Sequence, residues 1–159
     1  MTREEIIVLT KEIAFRNGIE ERFLLALVAT ESNFKVDATR YEPGYIWIYS
    51  PKELSELLGI TREEMVKAQK TSYGLAQVMG SCFYELGFRG LPDKLFEPTL
   101  NLSYACKHLN REIEKHKLDV KKIDELYACY NAGSVRRIDN GILVNQRNVN
   151  RFMKIYNAL

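Results

Sequence analysis

Apolar residues recur at helical spacing along most of this chain of 159 residues. The first predicted helix begins at Thr2, which forms a capping box with Glu5, and it ends at Asn17-Gly18. The second covers residues 20–30 and is apolar on nearly every side, so we expect it to be buried. It runs directly into Glu31, which places a carboxylate at the end of a core helix.

Further helices follow from the same periodicity and from capping and stop signals, at residues 51–58, 61–70, 75–86, 97–115, 119–131 and 146–157. Residues 33–50 lack that periodicity and concentrate aromatic side chains, as loops that line binding grooves often do. No alternating strand pattern runs for more than a few residues. The pattern therefore predicts a single all-α domain over residues 1–159, with room for a short hairpin in residues 40–49.

Composition agrees with one globular domain, since 46% of the residues are hydrophobic and 28% are charged. The net charge of +2 does not by itself argue for a nucleic-acid partner. The three cysteines, Cys82, Cys106 and Cys129, are odd in number and lie in apolar helical surroundings, so we expect them to be reduced and structural. Their spacing is not of a metal-binding type and there are only two histidines, so no zinc site and no cofactor are expected.

The N-terminal residues carry no secretory signature, and charges interrupt each apolar run before it could cross a bilayer. We therefore expect synthesis in the cytoplasm and no stable membrane insertion. A domain excised from a longer precursor is equally compatible with this pattern. Nothing in the sequence predicts a partner subunit, and we expect a monomer.

Glu31 is the first candidate for chemistry. A carboxylate at the end of an apolar helix is unfavourable unless it is paired or its pKa rises, and the partial negative charge of a helix C-terminus acts in the same direction. Such a group could hold a proton near neutral pH and deliver it to a leaving oxygen. A solvated glutamate just beyond the helix is the alternative that this residue alone leaves open.

Two further segments could bring polar groups to a ligand. In residues 72–77, Ser-Tyr-Gly-Leu-Ala-Gln, the glycine allows close approach of the backbone, and the amide of Gln77 could bond sugar hydroxyls or an acetamide group. In residues 128–133, Ala-Cys-Tyr-Asn-Ala-Gly, a helix end could aim Tyr130 and Asn131 into a cleft. Taken singly, each segment is better explained as an ordinary helix junction.

Together and in this order, the segments Glu31-Ser32-Asn33-Phe34, residues 72–77 and Tyr130-Asn131-Ala132-Gly133 resemble the three-motif signature of the soluble lytic transglycosylases, relatives of goose-type lysozyme. Residues 97–102, Glu-Pro-Thr-Leu-Asn-Leu, resemble the family's segment before a long core helix, and residues 145–156 are similar to its final helix. The resemblance covers nearly the whole chain.

The resemblance implies a lysozyme-like helical fold with a glycan-binding cleft, and peptidoglycan as substrate. Glu31 would protonate the oxygen of the β-1,4 bond between N-acetylmuramic acid and N-acetylglucosamine. It would then act as base on the muramyl 6-hydroxyl, giving a 1,6-anhydro end. Substrate would be bound by Ser32, Tyr73, Gln77, Tyr130 and Asn131, with Tyr130 also orienting Glu31.

The chain departs from the family pattern at Ala76, where methionine is usual, and in a longer segment between residues 33 and 72. That segment includes residues 40–45, which look like phage-encoded members of the group and suggest a phage lysin or virion-associated enzyme. Tyr41 and Glu42 are accessory candidates there. A loop carboxylate packed near Arg40 is the preferred interpretation of Glu42.

Three alternatives stay open. The first is a glycan-binding or structural domain with the same fold and an inert groove, although such a groove would have no use for the carboxylate of Glu31. Goose-type relatives hydrolyse the same bond with water, which would make the chain a muramidase; the absence of an evident second carboxylate favours the transglycosylase. Residues 50–67 also read like a helix-turn-helix, but the second helix would begin Thr61-Arg62-Glu63-Glu64, and two acids there would repel DNA phosphates.

Overall fold

The computed structural model describes residues 1–159 and confirms the predicted all-α class, with eight α-helices and only short strands. In chain order the elements are α1 Arg3–Arg16, α2 Glu21–Ser32, β1 Thr39–Tyr41, α3 Pro51–Leu58, α4 Arg62–Gln69, β2 Thr71–Tyr73, β3 Val78–Met79, α5 Gly80–Glu85, a 3-10 helix Pro92–Phe96, α6 Pro98–His116, α7 Ile123–Ala132 and α8 Gln146–Ala158. None of the helices combines the length and hydrophobicity needed to span a bilayer.

Three helix boundaries, at Thr2, Thr61 and Gly133, lie where their capping residues predict them. At the start of α1, Thr2 and Glu5 form both bonds of the capping box, of 3.2 and 2.7 Å. Thr61 and Glu64 do the same for α4. At the other end of a helix, Gly133 closes α7 in the left-handed conformation, with φ of 78°, and its N–H donates to Cys129 O.

Gly133 yields a first testable prediction. No atom lies within 4 Å of the Cβ that an alanine would add, so Gly133→Ala should introduce no steric clash. It should lower the unfolding free energy by about 1–2 kcal/mol, because alanine disfavours the left-handed conformation. Gly44→Ala is the matched control, because that glycine has equal space and no positive φ. Chemical denaturation of both variants measures the difference, and equal stabilities would contradict the capping role.

The chain divides into two compact units, one of residues 1–30 with 106–159 and one of residues 31–105. The core of the first unit is aromatic: the buried ring of Phe152 stacks on Tyr127 with 4.2 Å between centroids, and Phe23 lies 5.2 Å away on another side. In the same unit the Tyr156 hydroxyl donates to Glu20, and the guanidinium of Arg22 lies over the Tyr156 ring. These contacts join α8 to the start of α2.

The second unit contains a three-stranded antiparallel sheet of order β1-β2-β3. The short hairpin expected within residues 40–49 is not formed; β1 pairs instead with β2, Thr39 opposite Tyr73, and the hairpin is β2–β3. Within the segment that was expected to form the hairpin, the backbone of Tyr49 is bonded to a side chain of α4. The amide of the buried Gln69 both accepts from Tyr49 N, at 2.6 Å, and donates to Tyr49 O, at 2.7 Å.

Two predicted helix starts need correction. The helix expected from Leu75 begins at Gly80, because residues 74–77 form the β2–β3 turn, in which Gln77 has a φ of 50°. Asp119 does not cap α7, which begins at Ile123; its carboxylate accepts instead from Lys121 N at 2.9 Å.

The predicted helix pair around Gly59 is present as α3 and α4, with Gly59 in the left-handed conformation between them. The first turn of α4 carries Glu63 and Glu64. Because these carboxylates disfavour contact with phosphates, we propose no nucleic-acid partner for the pair.

Candidate active site

Glu31 lies in the last turn of α2 and is half-buried. The stretch of α2 that precedes it is buried throughout, at residues 23–28. Ser32, the final residue of the helix, has only 7% of its surface exposed. The buried residues 23–28 thus anchor the helix in the core and leave its acidic end partly exposed.

The backbone just after Glu31 is unusual. Asn33 and Phe34 both adopt left-handed conformations, with φ of 50° and 62°. Left-handed backbone costs a residue other than glycine about 1–2 kcal/mol and is least expected for a bulky side chain. The N–H of Lys35 donates to Ser32 O at 3.1 Å and closes the turn. Strained backbone of this kind clusters at functional sites, where the surrounding structure fixes it.

Gln77 lies in the β2–β3 turn, and its amide is bonded within the second unit. Nε2 donates to Ala38 O and to Gly74 O, both at 2.9 Å, and Oε1 accepts from the Ser72 hydroxyl at 2.8 Å. Both N–H donors are therefore engaged, and a direct contact with a ligand is restricted to the second lone pair of Oε1. The side chain ties the segment after Glu31 to the hairpin.

Asn101, on α6, is fully buried behind this hairpin and was not singled out from the sequence as a site residue. Its Nδ2 donates to Tyr73 O and Leu95 O, at 2.8 and 2.9 Å, and its Oδ1 accepts from Ala76 N at 3.0 Å. A Cβ on Gly74, whose φ is 70°, would lie 2.6 Å from Asn101 Nδ2, so only glycine fits there. A polar residue on the inward face of a predicted core helix was the available signal.

Tyr73 does not present its side chain as a substrate-binding residue would. The residue is buried, its hydroxyl donates to Ala68 O at 3.1 Å, and its ring packs edge-on against Phe96. Burial raises the pKa of Tyr73 to about 12. In this structure the Tyr73 side chain is therefore part of the core beneath the hairpin.

The accessory candidates lie at the edge of the same sheet. Tyr41, on β1, is exposed, with the Lys67 ammonium 5.7 Å from its ring centroid. Glu42 forms an ion pair with Arg40, the arrangement preferred for it from the sequence.

Tyr130 and Asn131 belong to the first unit, at the end of α7. The half-buried ring of Tyr130 packs edge-on against His108, and burial lowers the pKa of His108 to about 4, so this imidazole is neutral at neutral pH. The exposed Asn131 accepts through Oδ1 from Asn145 and Asn148, at 2.9 and 3.1 Å. These bonds fix the end of α7 against the beginning of α8.

A second polar cluster in the first unit was not expected. Glu112 and His116, one turn apart on α6, meet Cys129 on α7, and their ligand-type atoms all lie within 4.8 Å of one another. The prediction of no zinc site considered cysteine spacing along the chain, whereas this group is assembled from two helices. The spacing of Glu112 and His116 by four residues was the only signal in the sequence.

Comparison with known protein families finds one whose model matches this chain. The model of the transglycosylase SLT domain matches residues 9–152, which is most of the chain and spans all three motifs. No match is found among curated proteins or among solved structures.

Proposed function

The chain belongs to the transglycosylase SLT domain family, and on that premise we propose that it is a lytic transglycosylase that cleaves the β-1,4 bond between N-acetylmuramic acid and N-acetylglucosamine. Membership of the family makes it a transglycosylase-type enzyme directed at peptidoglycan. The bond, the product and the residues that act on them are our proposal. The observation that carries it is the half-buried Glu31 at the end of a buried helix, inside the family match.

Glu31 is the proposed general acid and base. It protonates the glycosidic oxygen as the bond to the muramyl C1 breaks, and it then accepts the proton of the muramyl 6-hydroxyl as that oxygen attacks C1. The same carboxyl group first donates a proton and then regains one, so no second catalytic carboxylate is needed and no water is consumed. The turn at Asn33 and Phe34 supports this role, because proton transfer depends on a fixed position of the carboxyl group.

Substrate contacts are proposed for Ser32, Tyr130 and Asn131, with Tyr41 as an accessory residue on the exposed edge of β1. Gln77 contributes mainly by holding residues 38 and 72–74 together, since both its donors are used there. Glu42 is not a proposed acid, because Arg40 pairs with it. The resemblance of residues 40–45 to phage-encoded members supports action as a phage lysin, and we propose that the enzyme works as a monomer.

Mass spectrometry of muropeptides released from purified sacculi tests the reaction. We expect products that end in 1,6-anhydro-N-acetylmuramic acid. Reducing muramic acid ends would identify a muramidase instead, and release of no muropeptide would contradict both.

Tyr130→Phe should lower the rate of sacculus cleavage by a larger factor than it lowers the folding equilibrium constant. A hydroxyl that orients reacting groups matters chiefly in the transition state, and we expect roughly a 10-fold or larger loss of rate. Tyr156→Phe is the matched control in the same unit: it removes bonds of 2.9 and 3.0 Å to Glu20 and should lower stability but not turnover. Unchanged turnover in Tyr130→Phe would remove Tyr130 from the site.

A further inference from the structure

Glu112 is a carboxylate in the interior of the first unit. Only 4% of its surface is exposed, on a helix whose neighbouring inward positions are Leu109 and Cys106. Burying a carboxylate is costly unless it is paired. Here His116 Nε2 lies 3.1 Å from Oε2, and Arg111 Nε lies 3.6 Å from Oε1. The third neighbour is the thiol of Cys129, 3.7 Å from Oε2.

These three groups form a ligand set for a metal ion. An imidazole, a thiolate and a carboxylate together are the donors that Zn²⁺ takes, and they do not suit Ca²⁺ or Mg²⁺, which prefer oxygen. The buried Glu112 carboxylate has a desolvation cost that an apolar side chain at that position would not have.

The spacing of the donor atoms fits one tetrahedral ion. Zinc bonds of about 2.1 Å to nitrogen and oxygen and about 2.3 Å to sulfur put tetrahedral neighbours roughly 3.4 Å apart for N and O, and roughly 3.6 Å for S and O. The observed separations are 3.1 Å for His116 Nε2 to Glu112 Oε2, and 3.7 Å for Cys129 Sγ to the same oxygen. The remaining pair, His116 Nε2 and Cys129 Sγ, lies within 4.8 Å, so bringing it to tetrahedral spacing takes a movement of at most about 1 Å.

We propose that Glu112, His116 and Cys129 bind one Zn²⁺ ion through Oε2, Nε2 and Sγ. The thiol proton leaves to solvent as the sulfur–metal bond forms, so that each ion bound releases one proton from Cys129. Arg111, on the other carboxylate oxygen, holds Glu112 in orientation for the metal. Water occupies the fourth position, and the side chain of His116, 28% exposed, marks the side from which ion and water enter.

The site joins α6 to α7 within the first unit. A bound ion would link His116 to Cys129, the two ends of a chain segment that includes the exposed residues 119–122. An ion that binds only the folded arrangement stabilises it by mass action. The proposal is independent of the proposed function, since it requires no turnover, and it can hold or fail whether or not the chain cleaves peptidoglycan.

The test uses the full chain after chelator treatment. Zn²⁺ titrated by calorimetry should bind at one ion per chain and raise the melting temperature. Co²⁺ as a spectroscopic substitute should give a thiolate-to-metal charge-transfer band in the near ultraviolet. No band in the wild-type protein, or no Zn²⁺-dependent rise in melting temperature, would overturn the proposal.

Three variants assign the ligands. Cys129→Ala should abolish the charge-transfer band, and His116→Gln should weaken Zn²⁺ binding by more than about 100-fold, because changes outside the ligand set already cost about 10–100-fold. His116 is partly exposed, so its variant keeps the test valid if Cys129→Ala does not fold. Cys106→Ala changes a buried free cysteine outside the cluster, and it should retain both the charge-transfer band and the affinity for Zn²⁺. A band that survives Cys129→Ala or disappears in Cys106→Ala refutes the site.

Discussion

Replacing Glu31 by glutamine should lower the rate of sacculus solubilisation by about 10²–10⁴-fold, the usual contribution of a general acid or base. The larger end is expected here, because one group serves as both acid and base in the proposed reaction. Glutamine preserves the size of the side chain and its capacity for hydrogen bonds, so the half-buried position should tolerate it. The measurement is the loss of turbidity of a sacculus suspension, with circular dichroism and melting temperature recorded alongside.

Glu42→Gln is the matched control. This carboxylate lies in the same unit and is also half-buried, but it is ion-paired with Arg40 and lies at the edge of the sheet. Its variant should retain turnover close to that of the unmodified chain. Activity retained in Glu31→Gln and lost in Glu42→Gln would assign the acid role to Glu42 and overturn the proposed mechanism.

The largest effect on stability is expected for Asn101→Ala. The change removes one hydrogen bond from each of three buried backbone groups, Tyr73 O, Leu95 O and Ala76 N. Each lost bond to a buried polar group costs about 1–3 kcal/mol, so the sum over three groups is roughly 3–9 kcal/mol. Because a domain of this size is stable by only about 5–15 kcal/mol, the variant should be marginally folded at physiological temperature.

Urea denaturation measures this loss. The control is Asn110→Ala on the same helix, whose exposed side chain makes one bond of 3.2 Å to Asn17 O and should contribute less than about 1 kcal/mol. Equal unfolding free energies for the two variants would show that the interior bonds of Asn101 do not support the hairpin. The turnover of Asn101→Ala should fall in proportion to its folded fraction.

Features set by neighbouring residues could be predicted from the sequence. The capping boxes at Thr2 and Thr61 and the stop at Gly133 are local, since each depends on residues within one turn of helix. The burial of residues 23–28 and the place of Glu31 at the end of that helix follow from hydrophobic periodicity alone.

Features that depend on distant residues could not be predicted. Strands of two or three residues show no periodicity, and β1 and β2 pair across about thirty residues of chain. The inward turn of Tyr73 depends on that pairing, and the internal bonds of Gln77 depend on Ala38 O. The cluster of Glu112, His116 and Cys129 likewise arises only when α6 and α7 meet, so neither the spacing of the cysteines nor the number of histidines could indicate it.

In the proposed reaction, Glu31 protonates the glycosidic oxygen of the bond that is cleaved. The most direct measurement is a crystal structure of the Glu31→Gln variant with an uncleaved peptidoglycan oligosaccharide. We expect the side-chain amide introduced by that substitution to lie about 2.6–3.2 Å from the glycosidic oxygen between the muramic acid and glucosamine residues. A bound glycan whose β-1,4 oxygens all lie beyond the reach of that side chain would contradict the claim.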